Sequence, residues 1–290
     1  MTTPAATTTA GPMPVLDEVS LAAKRARLTT LLSDLDSLLI AYSGGVDSAF
    51  LACIAREVMP GRVICVTADS PSYPRRHREM AESIARAFQL PHEFVSTAEL
   101  ERPEYRANPA NRCYHCKTEL YEHLSRVAAE RGIATIADGS NADDRGDYRP
   151  GRQAAREFHV RSPLDEADLT KAEIRELARR IGMSTWDEPA SACLSSRIPY
   201  QSEVTVAKLS MIERAEEAVR RHGFRVCRVR HHDTLARLEI GRDELARALE
   251  PDVSAALVAE LKAIGYQHVC LDLQGYRTGS LNDVLKLRPI

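Results

Sequence analysis

Ser37-Leu38-Leu39-Ile40-Ala41-Tyr42 runs into Ser43-Gly44-Gly45-Val46-Asp47-Ser48, and residues 49–58 follow as AFLACIAREV. The first run is apolar enough for a buried strand, and the last reads as a buried helix. Between them, two glycines let the backbone turn tightly and approach an anion closely. A helix starting there offers free N–H groups and its positive dipole end to phosphate. Ser43 and Ser48 add hydroxyl donors. No Lys follows, so this is not the GxxxxGK(S/T) loop that grips a transferable γ-phosphate. A bare Ser-Gly-Gly could be a capped strand-to-helix turn. The full six-residue string in this setting favours a nucleotide site.

Working outward, residues 19–34 place Leu21, Leu28, Leu31 and Leu32 near one helical face. Strands are expected at 61–68, 92–96 and 133–138, with helices at 76–88 and 117–131. A Pro-, Asn- and Arg-rich loop carrying Cys113 and Cys116 precedes the last of these helices. Strands alternating with helices imply a doubly wound α/β fold, a parallel sheet covered on both faces. Residues 139–169 read as loop-heavy and charged. Thr170 and Glu173 then form a capping-box pattern for a helix to Arg180, and Gly182 suits its end. Residues 186–200 break the αβ rhythm. Beyond them come a helix (205–221), two strand-like runs (224–230 and 235–240), a helix near 242–264 and a strand near 266–273. The expected organisation is a flexible leader (1–18), a nucleotide-binding unit (19–200) and a smaller α+β unit (201–290).

The 290 residues suffice for a sizeable core. With 44% hydrophobic and 28% charged residues, the chain is not a disordered one. Its formal net charge of -2 provides no general field for nucleic acid. The longest apolar runs are too short to span a bilayer, and the first fourteen residues lack the charge and apolar core of a signal peptide. A cytoplasmic location is expected. Seven cysteines there argue against a disulfide framework. Cys53, Cys65, Cys227 and Cys270 sit in apolar or strand-like runs and read as small buried hydrophobes. Cys113, Cys116 and Cys193 lie among polar and turn-forming residues.

The 43–48 string resembles the signature of the PP-loop ATP pyrophosphatases. That likeness implies ATP and Mg2+ as cofactors, with AMP transferred to a carbonyl or carboxylate oxygen. It places Ala41, Ser43, Gly44, Gly45, Val46, Asp47 and Ser48 around the phosphates, Asp47 also beside Mg2+. Thr67-Ala68-Asp69-Ser70 resembles the adenosine-facing segment, so Asp69 and Ser70 join the set. Gly139, Asn141 and Asp144 of GSNADD follow at a later strand end, where open parallel sheets collect ligands. Pro189-Ala190-Ser191-Ala192-Cys193-Leu194-Ser195-Ser196-Arg197-Ile198-Pro199-Tyr200, together with ADGSNADD, DYRPGR (147–152, including Arg149) and LTKAEIRELAR, is similar to the LarE family. These are sulfur transferases of nickel-pincer nucleotide synthesis. The resemblance spans residues 20 to 280 and implies pyridinium-3,5-biscarboxylic acid mononucleotide as the small-molecule substrate. Its carboxylate would be adenylated and converted to a thiocarboxylate. A ring-shaped homo-oligomer, a hexamer, is implied as well. The family pattern has Gly after the Tyr of RIPY; here Gln201 stands there, which bears on the local turn.

The resemblance leaves two sulfur sources. In one family type the cysteine matching Cys193 gives up its own sulfur, and Arg197 nearby would favour its thiolate. In the other, a CxxC pair and a distant cysteine, here Cys113, Cys116 and Cys193, hold a 4Fe-4S cluster with one iron open for external sulfide. Zinc on Cys113 and Cys116 with His115 or Cys193 is a third reading, and free loop thiols a fourth. Arg228 and Arg230 share one face of a strand and could grip a phosphate and a carboxylate, and Glu239 lies on the strand after them. Glu216 and Glu217 could orient a metal, but read better as a solvated helix face. The competing functions are a tRNA thiolase, an amide-forming ligase, and a non-catalytic adenine-nucleotide sensor.

Overall fold

The computed structural model describes residues 16–146, 150–189, 192–277 and 279–280. Helix α1 (Glu18–Ser33) starts at Asp17, whose carboxylate accepts from Val19 N. Strand β1 (Leu38–Ala41) leads into α2 (Val46–Val58), followed by β2 (Val63–Asp69), α3 (Arg75–Ala87) and β3 (His92–Ser96). A short α4 (Pro103–Arg106) precedes α5 (Arg112–Glu130), then β4 (Thr135–Ala137), α6 (Gly151–Glu157), α7 (Pro163–Glu166) and α8 (Lys171–Arg180).

The four strands are parallel and ordered β3-β2-β1-β4. All four residues of β1 are buried, and they alternate between layers. Leu38 and Ile40 join the core made with α1, α2, α7 and α8, while Leu39 and Ala41 join the one made with α5 and α6. That period-two split is what a sheet covered on both faces demands. The chain leaves β1 toward β2 on one side, and β4 lies on the other. The carboxyl ends of β1 and β4 therefore flank the topological switch point, where such sheets bind ligands.

After residue 200 come α9 (Val206–Arg221), β5 (Cys227–His232), β6 (Leu235–Ile240), α10 (Leu245–Ala248), α11 (Pro251–Ile264) and β7 (His268–Leu271). β6 lies between β5, antiparallel, and β7, parallel. A separate apolar cluster of α4, residues 194–204 and α9 includes Tyr105, Leu194, Ile198, Val204 and Ile212.

Four expectations change. Cys113 and Cys116 lie on the first two turns of α5 rather than in a loop, because that helix begins at Arg112. The 139–169 stretch holds two short helices, α6 and α7. The helix expected over 242–264 is broken before Pro251, which occupies the first turn of α11, where proline's missing N–H costs nothing. Cys270 is exposed, because β7 is an edge strand whose residues alternate outward.

Candidate active site

The phosphate loop is held open by backbone. Gly44 has φ +67°, and a Cβ there would sit 2.7 Å from Ala81 Cβ on α3. Only glycine meets both conditions without strain. A Cβ on Gly139 would sit 2.7 Å from Ser48 N, so the loop after β4 packs directly on the start of α2. Ser48 is buried; its hydroxyl accepts from Ser43 N at 3.1 Å and donates to Gly45 O at 3.1 Å. Asp17, Thr170 and Thr205 cap α1, α8 and α9 with their side chains, but Gly45 gives α2 no such cap. Among the described residues its first-turn N–H groups have no side-chain acceptor, the arrangement an anion exploits.

Asp47 forms an ion pair with Lys171 and accepts from Asn141 Nδ2 at 3.4 Å. Asn141 N donates to Asp144 at 3.1 Å, and Lys171 N donates to Asp143 at 2.9 Å. The loops after β1 and β4 and the start of α8 thus meet at one charged point. Lys171 was not among the sequence candidates. A signal existed: a lysine in the first turn of a helix opposes the helix dipole, so its placement needs another reason. The capping box of Thr170 and Glu173 is present as expected. Asp69 pairs with Arg78, whose guanidinium lies 3.9 Å from the Phe94 ring centroid. The Ser70 hydroxyl donates to Glu99 at 2.5 Å. Arg149, Ala190 and Ser191 lie outside the described residues.

The Cys193 loop is held by buried side chains. Arg197, 1% exposed, donates to the carbonyls of Ala192 and Cys193, both at 2.9 Å, and pairs with Glu216 at 2.8 Å. Its charge is met first by the Glu216 carboxylate and only then by Cys193. Arg230 donates to Ser196 O at 2.7 Å, Arg112 to Ser195 O at 3.0 Å, and Tyr105 OH lies 2.6 Å from Ser195 Oγ. Asn108, at φ +54°, donates to Pro199 O at 2.7 Å and Ser202 O at 3.0 Å. Gln201 keeps a left-handed φ of +68°, so the turn survives the missing glycine. The Cys193 thiol itself makes no hydrogen bond among the described residues, and all seven cysteines are free.

Cys113 is exposed, yet packing around its sulfur and the neighbouring Cys193 push the thiol up, while Arg112 pulls it down. Burial, then Glu99 and Cys193, push Cys116 up. The three sulfurs are close enough to act on one another electrostatically. Among the described residues, no group of three or more His, Cys, Asp or Glu side chains is arranged to hold a metal ion.

Glu216 corrects the solvated-face reading: it is 1% exposed. Burial alone would raise its carboxyl, but Arg197, Arg228 and Arg220 overrule that and hold it down at about 2. Three guanidiniums thus face one carboxylate behind the Cys193 loop. Burial and Arg197 push Arg228 down, and it lies 5.0 Å from the Tyr276 ring centroid. Arg230 is taken by Glu239 through two bonds at 2.9 and 2.7 Å, so its part in gripping a ligand is smaller than the sequence suggests. His77 faces the same guanidiniums; burial, then Arg197, pushes it down to about 3.

The sequence model of the asparagine synthase family matches residues 37–109, the phosphate-loop half of the parallel sheet. A pyridinium-3,5-bisthiocarboxylic acid mononucleotide synthase of Lactiplantibacillus plantarum is 34% identical over 92% of this chain and 96% of its own. The chain belongs to the LarE family. An uncharacterised Synechocystis protein is 43% identical over 91% of the chain and 99% of its own length. Similarity to tRNA(Ile)-lysidine synthase of Thermotoga maritima, at 29%, covers only 39% of the chain. LarE membership thus rests on nearly the whole length, and the lysidine synthase likeness on a part. Among the described residues, no helix is long and apolar enough to cross a membrane.

Proposed function

We propose that the chain uses ATP to adenylate a carboxylate of pyridinium-3,5-biscarboxylic acid mononucleotide and replaces the AMP with sulfur. A carboxylate oxygen attacks the α-phosphorus of ATP; the bond to the bridging oxygen breaks and pyrophosphate leaves. A sulfur nucleophile then attacks the acyl carbon, and AMP departs with the electrons of the C–O bond. Residues 19–200 bind nucleotide in this scheme, and 201–290 supply substrate contacts. The uncapped α2 N-terminus and Lys171 receive the phosphate charge. The Asp47 oxygens suit a hard cation, so Asp47 would hold Mg2+, which shields that charge when bound. Arg228 on β5 would meet one of the substrate's remaining anionic groups.

The observation that carries the proposal is a phosphate-ready helix end in the same framework as a loop whose backbone is fixed while its thiol is free. For the sulfur source we propose Cys113, Cys116 and Cys193 as ligands of a 4Fe-4S cluster. Three soft thiols in mutual electrostatic reach fit such a group, which would present external sulfide at its open iron when bound. The Cys193 thiol, without a hydrogen bond among the described residues, favours a second reading in which Cys193 is sacrificial. There the Cys193 sulfur attacks the acyl carbon, its Cα proton is removed, and the Cβ–S bond breaks to leave dehydroalanine.

Pyrophosphate release tests the proposal. It should appear with ATP and the biscarboxylate mononucleotide and be absent with tRNA; the reverse would favour a tRNA thiolase, and neither would favour a nucleotide sensor. Mass spectrometry and iron content after anaerobic purification separate the sulfur sources. Cys193 lighter by one hydrogen sulfide in an iron-free, active Cys113→Ala protein would establish the sacrificial route. An intact Cys193 through several turnovers would exclude it.

A further inference from the structure

Taking the sulfur-transfer reading as its basis, we propose that residues 70–74 form a strap that sets the distance between the adenylated carboxylate and the Cys193 loop, with Tyr73 and Glu99 as positioning residues. The segment leaves the carboxyl end of β2 and bonds to three separate places. Tyr73 OH donates to Ser43 O of the phosphate loop at 3.0 Å. Ser72 O accepts from the N–H of Leu194, the residue after Cys193, at 2.9 Å. The hydroxyls of Ser70 and Ser72 donate to Glu99 Oε1 at 2.5 and 2.6 Å, while Thr97 Oγ1 donates to Oε2 at 2.9 Å. Glu99 is 3% exposed, and it acts electrostatically on Cys116. One buried carboxylate thus gathers three hydroxyls and joins the ends of β2 and β3 beside the CxxC turn. Pro71 and Pro74 fix φ at two of the five positions, which stiffens the link.

The chemistry gives such a link a purpose. AMP is fixed at one end of it and the sulfur loop at the other. A misplacement of about 1 Å can cost about 100-fold in rate. An acyl-adenylate that sulfur does not reach is open to water. Water then attacks the acyl carbon, AMP leaves, and the carboxylate is regenerated. A loosened strap is therefore expected to spend ATP without transferring sulfur.

Tyr73→Phe removes one hydroxyl and keeps the ring. Pyrophosphate release and thiocarboxylate formation are to be measured in parallel on the full chain with the biscarboxylate mononucleotide. Pyrophosphate release should stay within about threefold, while thiocarboxylate formed per pyrophosphate falls about tenfold. Glu99→Gln should shift the same ratio by less. An unchanged ratio, or equal losses in both outputs, would overturn the strap, since equal loss is what general damage produces. If the unsubstituted protein releases no pyrophosphate with this substrate, the sulfur-transfer reading fails, and a second arm still judges the link. ATP should slow iodoacetamide labelling of Cys193, read by mass spectrometry, about fivefold or more in the unsubstituted chain, and not in Tyr73→Phe with ATP still bound. Equal protection in both proteins, or none in either, overturns the strap.

Discussion

The phosphate loop and the Cys193 loop solve opposite problems. The first is made of backbone and small residues, and it leaves hydrogen-bonding capacity unspent at the start of α2. The second spends nearly everything: Arg197, Arg230, Arg112, Tyr105 and Asn108 all bond within residues 192–202. A loop that must accept a mobile anion keeps its donors open. A loop that must present one thiol at a fixed place has its surroundings saturated, so the thiol is what remains.

The contrast breaks most visibly at Glu216. Glu216→Ala leaves Arg197 buried without its carboxylate, and removing one partner of a buried pair costs about 3–5 kcal/mol. Denaturant unfolding should show that loss. The Glu216 carboxyl titrates at about 2 when folded, below its ordinary 4.5. Its contribution is therefore complete above pH 4.5 and fades as the pH falls toward 2, and Glu216→Gln should flatten that part of the pH–stability curve.

At the other loop the damage should be local. Gly44→Val meets both the positive φ and the Ala81 contact, and we expect about 2–3 kcal/mol of destabilisation with loss of pyrophosphate release. If Gly44→Val binds ATP normally, the phosphate assignment is wrong. Lys171→Met removes a charged partner, and ATP affinity measured by calorimetry should drop by about 1.5–3 kcal/mol, roughly tenfold or more. Unchanged affinity would confine Lys171 to its pair with Asp47. The smallest effect is a gain: Gln201→Gly relieves a left-handed residue and should raise stability by about 1 kcal/mol or less, seen as a higher Tm.

The same contrast explains what was legible in the sequence. The phosphate loop could be read because its determinants are local: glycines, hydroxyls, and the strand and helix around them. The capping box at Thr170 was legible for the same reason. Glu216 was misread because its periodicity on α9 says nothing of Arg197 arriving from another segment. Cys113 and Cys116 were placed in a loop because residues 107–112 carry loop-type composition. The start of α5 depends on Arg112 being buried against Asn108 and Ser195. Lys171 reaches Asp47 across 124 positions, and the strap's bonds join residues far apart in the chain. Arg230 looked like a free ligand grip until its pairing with Glu239 across the hairpin was visible.

The distances along the chain also impose an order on assembly. Hydrogen bonds inside the phosphate loop join residues two to five positions apart. Those that fasten Ser195 to Tyr105 and Arg112 span 90 and 83 positions. Closing long loops is entropically dearer and slower than closing short ones. The phosphate turn can therefore close early, whereas Lys171 reaches Asp47 across 124 positions. The thiol-presenting turn is built late, once some ninety further residues have folded back. A chain caught between these stages would carry a formed phosphate turn with neither Lys171 nor the thiol yet in place.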